Sequence, residues 1–170
     1  MASWRPLTMN DIAAVARIMA VIHVELPESA NVFAERVKLF PEGCLALVDD
    51  KGELFGYAIS HPISHRQPPK LNGLLGEIAP DADQYYIHDV CVLPALRGQG
   101  LAAQAIQKLL VIASRYPSAC LISVYGTGKF WGRYGFLPPP SGIDPNLSRK
   151  LLGYGEEATY LERGKDDARP

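Results

Sequence analysis

The chain has 170 residues, 48% hydrophobic and 21% charged, with a formal net charge of −1; that describes one ordinary globular domain and gives no sign of a nucleic-acid partner. Three scattered cysteines, Cys44, Cys91 and Cys120, form neither a disulfide framework nor a CxxC metal motif, and no apolar run approaches the roughly 20 residues of a membrane span. The expectation is a soluble cytoplasmic protein with no leader and no membrane partner.

A short strand around Trp4–Leu7 leads into Thr8, which forms an imperfect capping box with Asp11. Ile12, Val15, Ala16, Ile18 and Met19 then repeat at helical spacing and predict a helix over about 9–22. A second helix is predicted over about 29–40, with Val32, Phe33, Val37 and Phe40 inward and "PEG" ending it. "CLALVDD" and "LFGYAISH" flank Asp50-Lys51-Gly52 and read as an antiparallel hairpin. From Pro62 to Asp83 the prolines at 62, 68, 69 and 80 mark a long loop, expected to wall a substrate pocket.

"YYIHDVCVL" is the next strand, apolar at nearly every position except His88 and Asp89, as in a strand covered on both faces. After a glycine-rich loop comes the clearest helix, with Leu101, Ala105, Leu109 and Ile112 on one stripe. "ACLISVYG" reads as a buried strand, "GKFWGRYGF" as a short helix ending at Gly135, "ATYLER" as a last strand and "GKDDARP" as a frayed tail. The whole is an α/β protein with a mixed sheet and its ligand loop in the middle.

"RGQGLAA" joins strand to helix, where unpaired backbone N–H groups and the helix dipole favour an anion and glycines let it come close. A phosphate-binding P-loop is excluded because no Gly-Lys-Ser/Thr follows, and in "GTGKF" Phe130 stands where the hydroxyl belongs. A dinucleotide fingerprint, Gly98-x-Gly100-x-x-Ala103, lacks its acid: none occurs between Val90 and Ile143, which makes a nicotinamide dehydrogenase a poor fit. The same stretch carries Arg97, Lys108, Arg115, Lys129 and Arg133, whereas the first 89 residues hold 12 acids against 7 Lys and Arg. A polyphosphate ligand prefers such an acid-free half.

"V-x-P-x-x-R-G-x-G-L-A", Val92 to Ala102, resembles the signature of the GNAT N-acetyltransferase superfamily, with Arg97, Gly100 and Ala102 at the three core positions of Arg/Gln-x-x-Gly-x-Gly/Ala. "YIHDV" and "FWGRYGF" resemble that family's strand and C-terminal motif, so the likeness runs over roughly residues 4 to 163 of a single domain. It implies a GNAT fold: a mixed central sheet with a splayed pair of parallel strands and flanking helices. It further implies acetyl-CoA as co-substrate, with the pyrophosphate on the backbone of Arg97, Gly98, Gln99, Gly100, Leu101 and Ala102. Val90, Cys91 and Val92 would pair with the pantetheine arm, Leu121–Val124 would splay to admit it, and Phe130 and Arg133 would pack on or neutralise the cofactor. No metal is implied, the acceptor would be an amine of a small molecule or peptide, and a homodimer is open.

Acetyl transfer needs a neutral amine, a donor for the oxyanion and a proton for the leaving thiolate. The likeness places the oxyanion donor at a backbone N–H near Val90 or Cys91. His88 stands where relatives often carry a Glu base, and competes with a structural reading in which it bonds a carbonyl. Strand alternation lets at most one of His88 and Asp89 face the acceptor, and Asp89 is first a structural or orienting residue. Trp131 occupies the position of the family's usual tyrosine acid, which leaves Tyr125 and Tyr134 as substitutes, each also readable as packing. Cys91 reads as a small buried hydrophobe. His23, His61 and His65 form no metal pattern; His61 and His65, beside Pro62 at the start of the long loop, could touch an acceptor but are first expected to be polar residues at the surface. Glu25, Glu28 and Glu35 suit a cationic acceptor or a solvated helix face alike. The leading reading is an acetyl-CoA-dependent N-acetyltransferase; the alternative, raised by Trp131, is a GNAT-like domain that binds acetyl-CoA without turnover.

Overall fold

The structure, a computed structural model, describes residues 1–165. Six strands, β1 (Ser3–Pro6), β2 (Cys44–Val48), β3 (Leu54–Ile63), β4 (Gln84–Val92), β5 (Ser118–Ser123) and β6 (Thr159–Gly164), lie side by side in chain order. Neighbours are antiparallel except β4 and β5. A parallel pair needs a crossover. Helix α3 (Leu101–Ala113) supplies it, after α1 (Ile12–Ile22) and α2 (Ala30–Leu39) have formed earlier in the chain.

The helices cover opposite faces of the sheet. Val15 of α1 and Phe33 of α2 pack with Tyr57 and Ile59 of β3. Ile106 and Leu109 of α3 pack with Tyr85 and Leu121 on the other side. Each such fully buried Leu or Ile contributes about 1.5–3 kcal/mol relative to exposure. Alternation along β4 sends Tyr85 to the α3 face and Tyr86 to a third cluster with Ile63 and Tyr154.

Two features place the site. Pairing of β3 with β4 passes from Ile59 opposite Asp89 to Ser60 opposite Ile87, so His88 is the extra residue of a β-bulge. The β4–β5 ladder runs from Gln84 opposite Ser118 to Ile87 opposite Leu121 and stops there. The strands therefore part after Leu121, one residue later than the likeness implied.

The loop from 64 to 83 is pinned. Glu28 accepts the Asn72 N–H (2.8 Å), Glu35 accepts those of Leu75 and Gly76 (2.7 and 3.0 Å), and the buried Arg36 donates to the Gly73 carbonyl (2.9 Å). Arg66 makes a two-point bond to Glu162 of β6, 2.9 Å at each contact.

The elements differ from the sequence expectation at several points. β3 continues through Pro62, the expected start of the loop. The helix around "GKFWG", α4 (Gly128–Gly132), ends before Gly135. A helix not expected from the sequence, α5 (Pro145–Leu152), begins at Asp144, whose carboxylate accepts the Leu147 N–H (2.8 Å). Gly164, read as tail, ends β6, while residues 166–170 of that tail lie outside the described residues.

Candidate active site

Between the parted ends of β4 and β5 lies a slot of about 380 Å³, walled by Val90 and Val92, Ile122 and Val124, and Phe130 and Trp131 of α4. Its β4 edge has lost its ladder partner, so backbone amides and carbonyls line an otherwise apolar space. A second cavity, about 370 Å³, opens at Gly98, Gly100 and the first turn of α3. Both are lined by Val92, Arg97, Ala102 and Phe130, so the two cavities adjoin between the glycine-rich loop and the parted strands.

The loop is built to present backbone. Gly98 (φ +83°) and Gly100 (φ +74°) are left-handed, and a Cβ on either would meet nothing within 4 Å, so both face open space. The first helical bond of α3 runs from Gln104 N–H to the Gly100 carbonyl (3.2 Å), leaving the N–H groups of 101–103 ahead of the ladder. The Trp4 indole donates to the Leu101 carbonyl (2.7 Å) and Arg97 Nε to the Val92 carbonyl (3.0 Å), fixing the junction at both ends. Arg133 stacks its guanidinium 5.8 Å from the centre of the Phe130 ring. Of the residues assigned to cofactor binding from sequence, Gln99 alone lines neither cavity and is exposed. Cys91 lines the slot with its thiol pKa driven well upward, first by burial; it is no nucleophile at neutral pH.

At the other end of the slot four side chains converge. Asp89 Oδ2 accepts the Tyr57 hydroxyl (2.7 Å) and lies 2.8 Å from His23 Nε2. His23 Nδ1 is 3.0 Å from the Tyr125 hydroxyl, and the two rings stack 5.7 Å apart. Burial alone would lower the His23 pKa, but the bond to Asp89 and the charges of Asp89 and Glu28 outweigh it and raise the value. Burial, then the Asp89 and Glu25 charges, raise that of Tyr125. Tyr125 is left-handed (φ +56°), a conformation uncommon outside glycine and frequent at functional sites.

The expectation that His88 and Asp89 take opposite faces fails: the bulge at His88 breaks the alternation, and both line the slot. His88 Nε2 is held 2.6 Å from Glu28 Oε1, with side-chain exposures of 2% and 6%, and His88 Nδ1 is buried without a partner. Tyr134 lies apart from the Asp89 group, in the second cavity against Phe130 and Trp131. His61, expected at the surface, is fully buried, its pKa lowered to about 3 chiefly by burial. Glu28 and Glu35 are not a free acidic face but pin the loop. His23 is the residue that sequence reasoning missed. It caps the end of α1, and only the fold brings it to Asp89, 66 positions away. Among the described residues no group of three or more His, Cys, Asp or Glu is placed to hold a metal, and no helix is long and apolar enough to cross a membrane.

A glycine-rich helix start feeding a slot between two parted parallel strands defines the GNAT class of fold. The sequence profile of the "Acetyltransferase (GNAT) family" matches residues 12–135, and the chain belongs to that family. No curated protein sequence matches it. Among solved structures, Ard1 from Thermoplasma volcanium is similar, at 17% identity over 96% of this chain and 97% of that one, with a TM-score of 0.69. A NatC complex bound to Gag peptide and CoA gives 18%, 96%, 98% and 0.70. The GphF GNAT-like decarboxylase in complex with isobutyryl-CoA gives 17%, 96%, 99% and 0.69. Identities this low speak to the fold, which the three share with this chain.

Proposed function

We propose that the protein is an acetyl-CoA-dependent N-acetyltransferase that moves the acetyl group directly to a primary amine of a small molecule or peptide. The observation that carries this is the pair of adjoining cavities that run from the glycine-rich loop to the Asp89–His23–Tyr125 group. Backbone N–H groups of 98–102 and the α3 dipole suit a pyrophosphate, and the unpaired β4 edge suits the amides of a pantetheine arm. The slot then leads the thioester to a place where a carboxylate, an imidazole and a phenol meet. NatC, bound to both a peptide and CoA, and GphF, bound to isobutyryl-CoA, support an acyl-CoA ligand. The acceptor side is acidic: Glu25, Glu156 and Glu157 line a space of about 410 Å³ that also reaches Tyr125, which suits an ammonium group. The three cysteines are buried and free, in keeping with a reducing compartment.

Trp131 in place of the family's tyrosine favours a second reading, a domain that holds acetyl-CoA without turnover. Calorimetric titration with acetyl-CoA, followed by thiol release over a panel of polyamines, amino acids, aminoglycosides and peptides, decides between them. Binding with thiol release on at least one amine is the expected result. Binding without release on any of them would favour the second reading, and no binding would overturn both.

A further inference from the structure

We propose that Asp89, His23 and Tyr125 form a proton relay whose catalytic end is the Tyr125 hydroxyl, which takes the acceptor's proton inward to His23 and later gives a proton to the coenzyme A thiolate. This rests on the N-acetyltransferase reading above.

The hydrogen-bond inventory dictates how such a relay works. With His23 neutral and its Nε2–H donating to the Asp89 carboxylate, Nδ1 is an acceptor, and the Tyr125 O–H donates to it. With His23 charged, both ring nitrogens donate, and the Tyr125 hydrogen is released to point elsewhere. One proton on His23 therefore decides whether Tyr125 can donate to a third group. Tyr57 holds the same Asp89 oxygen at 2.7 Å, which fixes the carboxylate against the imidazole. The stacking of Tyr125 on His23 holds the phenol at the slot, and the left-handed Tyr125 and Gly126 (φ +56° and +70°) turn the chain there just past β5. His88 is not available for this task, because Glu28 occupies its Nε2 and its other nitrogen is buried. The titratable and charged groups around His23 are Asp89 with Tyr57 on its carboxylate, Glu28, His88, Tyr154, Tyr125 and, beside the phenol, Glu25.

The steps balance. The acceptor arrives as an ammonium, and one proton passes through the Tyr125 oxygen to His23 Nδ1. The freed amine pair forms the N–C bond at the thioester carbonyl, and the adduct collapses with the C–S electron pair leaving on sulfur. Tyr125 gives its phenolic proton to the thiolate, His23 returns its proton to the phenolate, and the second nitrogen proton leaves to water. Ammonium and acetyl-CoA become amide, coenzyme A thiol and one released proton. Tyr125 touches the reacting atoms; His23 and Asp89 act through it.

The test uses an amine from the panel whose own pKa lies well above that of His23, and follows kcat/KM against pH while nuclear magnetic resonance measures the His23 titration in the same protein. Wild-type kcat/KM rises through the His23 pKa and levels off. In Asp89→Asn the bend and the His23 titration move to lower pH together. In His23→Gln the plateau disappears, and the rate keeps rising toward the amine's own pKa. Tyr125→Phe lowers kcat about a hundredfold, within the usual range for a general acid–base group, with acetyl-CoA affinity retained. A bend that stays put in Asp89→Asn and His23→Gln, or wild-type kcat in Tyr125→Phe, overturns the relay and leaves the proposed function standing. Wild-type protein that binds no acetyl-CoA, or acetylates no amine, overturns the proposed function and the relay with it.

Discussion

His88 Nε2 lies 2.6 Å from one oxygen of Glu28, while the other oxygen accepts the Asn72 N–H at 2.8 Å. One carboxylate thus ties the bulge in β4 to the long loop. Removing one partner of a nearly buried pair strands the other's polar group, at a typical cost of about 3–5 kcal/mol. Glu28→Ala is expected to lower the urea midpoint accordingly and to raise the acceptor KM, because the loop that reaches the site through Leu71 loses its anchor. Burial works to raise the Glu28 pKa, but the charge and bond of His88 prevail and lower it from its ordinary 4.5. A depressed carboxylate adds stability above its unfolded pKa and loses it as pH falls through the folded value. Unfolding free energy should therefore fall with acidification below pH 4.5 in wild-type protein, and less steeply in Glu28→Gln.

Gly56 lets β3 approach β4. A Cβ there would sit 2.4 Å from the Cys91 carbonyl oxygen and 3.2 Å from Val92 Cα, both backbone, so the strands themselves must separate. Overpacking of this kind costs about 1–3 kcal/mol. Gly56→Ala should lower Tm by roughly 4–8 °C at the middle of that range for a domain of this size, as read by calorimetry.

Gly100 is left-handed at the start of α3 with open space before it, so substitution there strains the backbone without clashing. Gly100→Val is expected to cost about 1–3 kcal/mol in stability and to weaken acetyl-CoA binding about tenfold or more in calorimetric titration. Affinity equal to wild type would mean that the loop backbone does not hold the pyrophosphate.

The elements with strong periodicity were legible in the sequence. Val15 and Ile18, and Ala105 and Leu109, mark the buried stripes of α1 and α3, and Asp50-Lys51-Gly52 marks the hairpin. Helix α5 escaped because it is short and buries little beyond Leu147, although Asp144-Pro145 carries the start signal, an N-cap followed by proline. The glycine-rich loop was legible because the backbone it presents is local, two left-handed glycines at the start of α3. The Asp89–His23–Tyr125 group was not, because its members come from the end of α1, a bulged strand and the turn after β5. A bulge is a register event between two strands, and strand alternation read from β4 alone argued against it.

Trp131 tests the slot directly. It is 9% exposed, lines the slot, and packs against Phe130, Phe136 and Tyr134 at 5.1, 5.8 and 6.2 Å between ring centres. Truncation to alanine should cost about 3–5 kcal/mol, the usual range for a buried tryptophan. Trp131→Phe should fold and lose most of the fluorescence change that coenzyme A produces in wild type. Trp4, the other tryptophan, is held at the start of α3 by its bond to the Leu101 carbonyl, and Trp4→Phe should keep that change. A full signal persisting in Trp131→Phe would place the pantetheine arm elsewhere. Trp131→Tyr asks whether the chain lacks an acid. If Tyr125 already supplies the proton, a tyrosine at 131 adds no rate, and kcat stays near wild type. A rise of about tenfold or more would mean that the missing proton donor had limited the reaction.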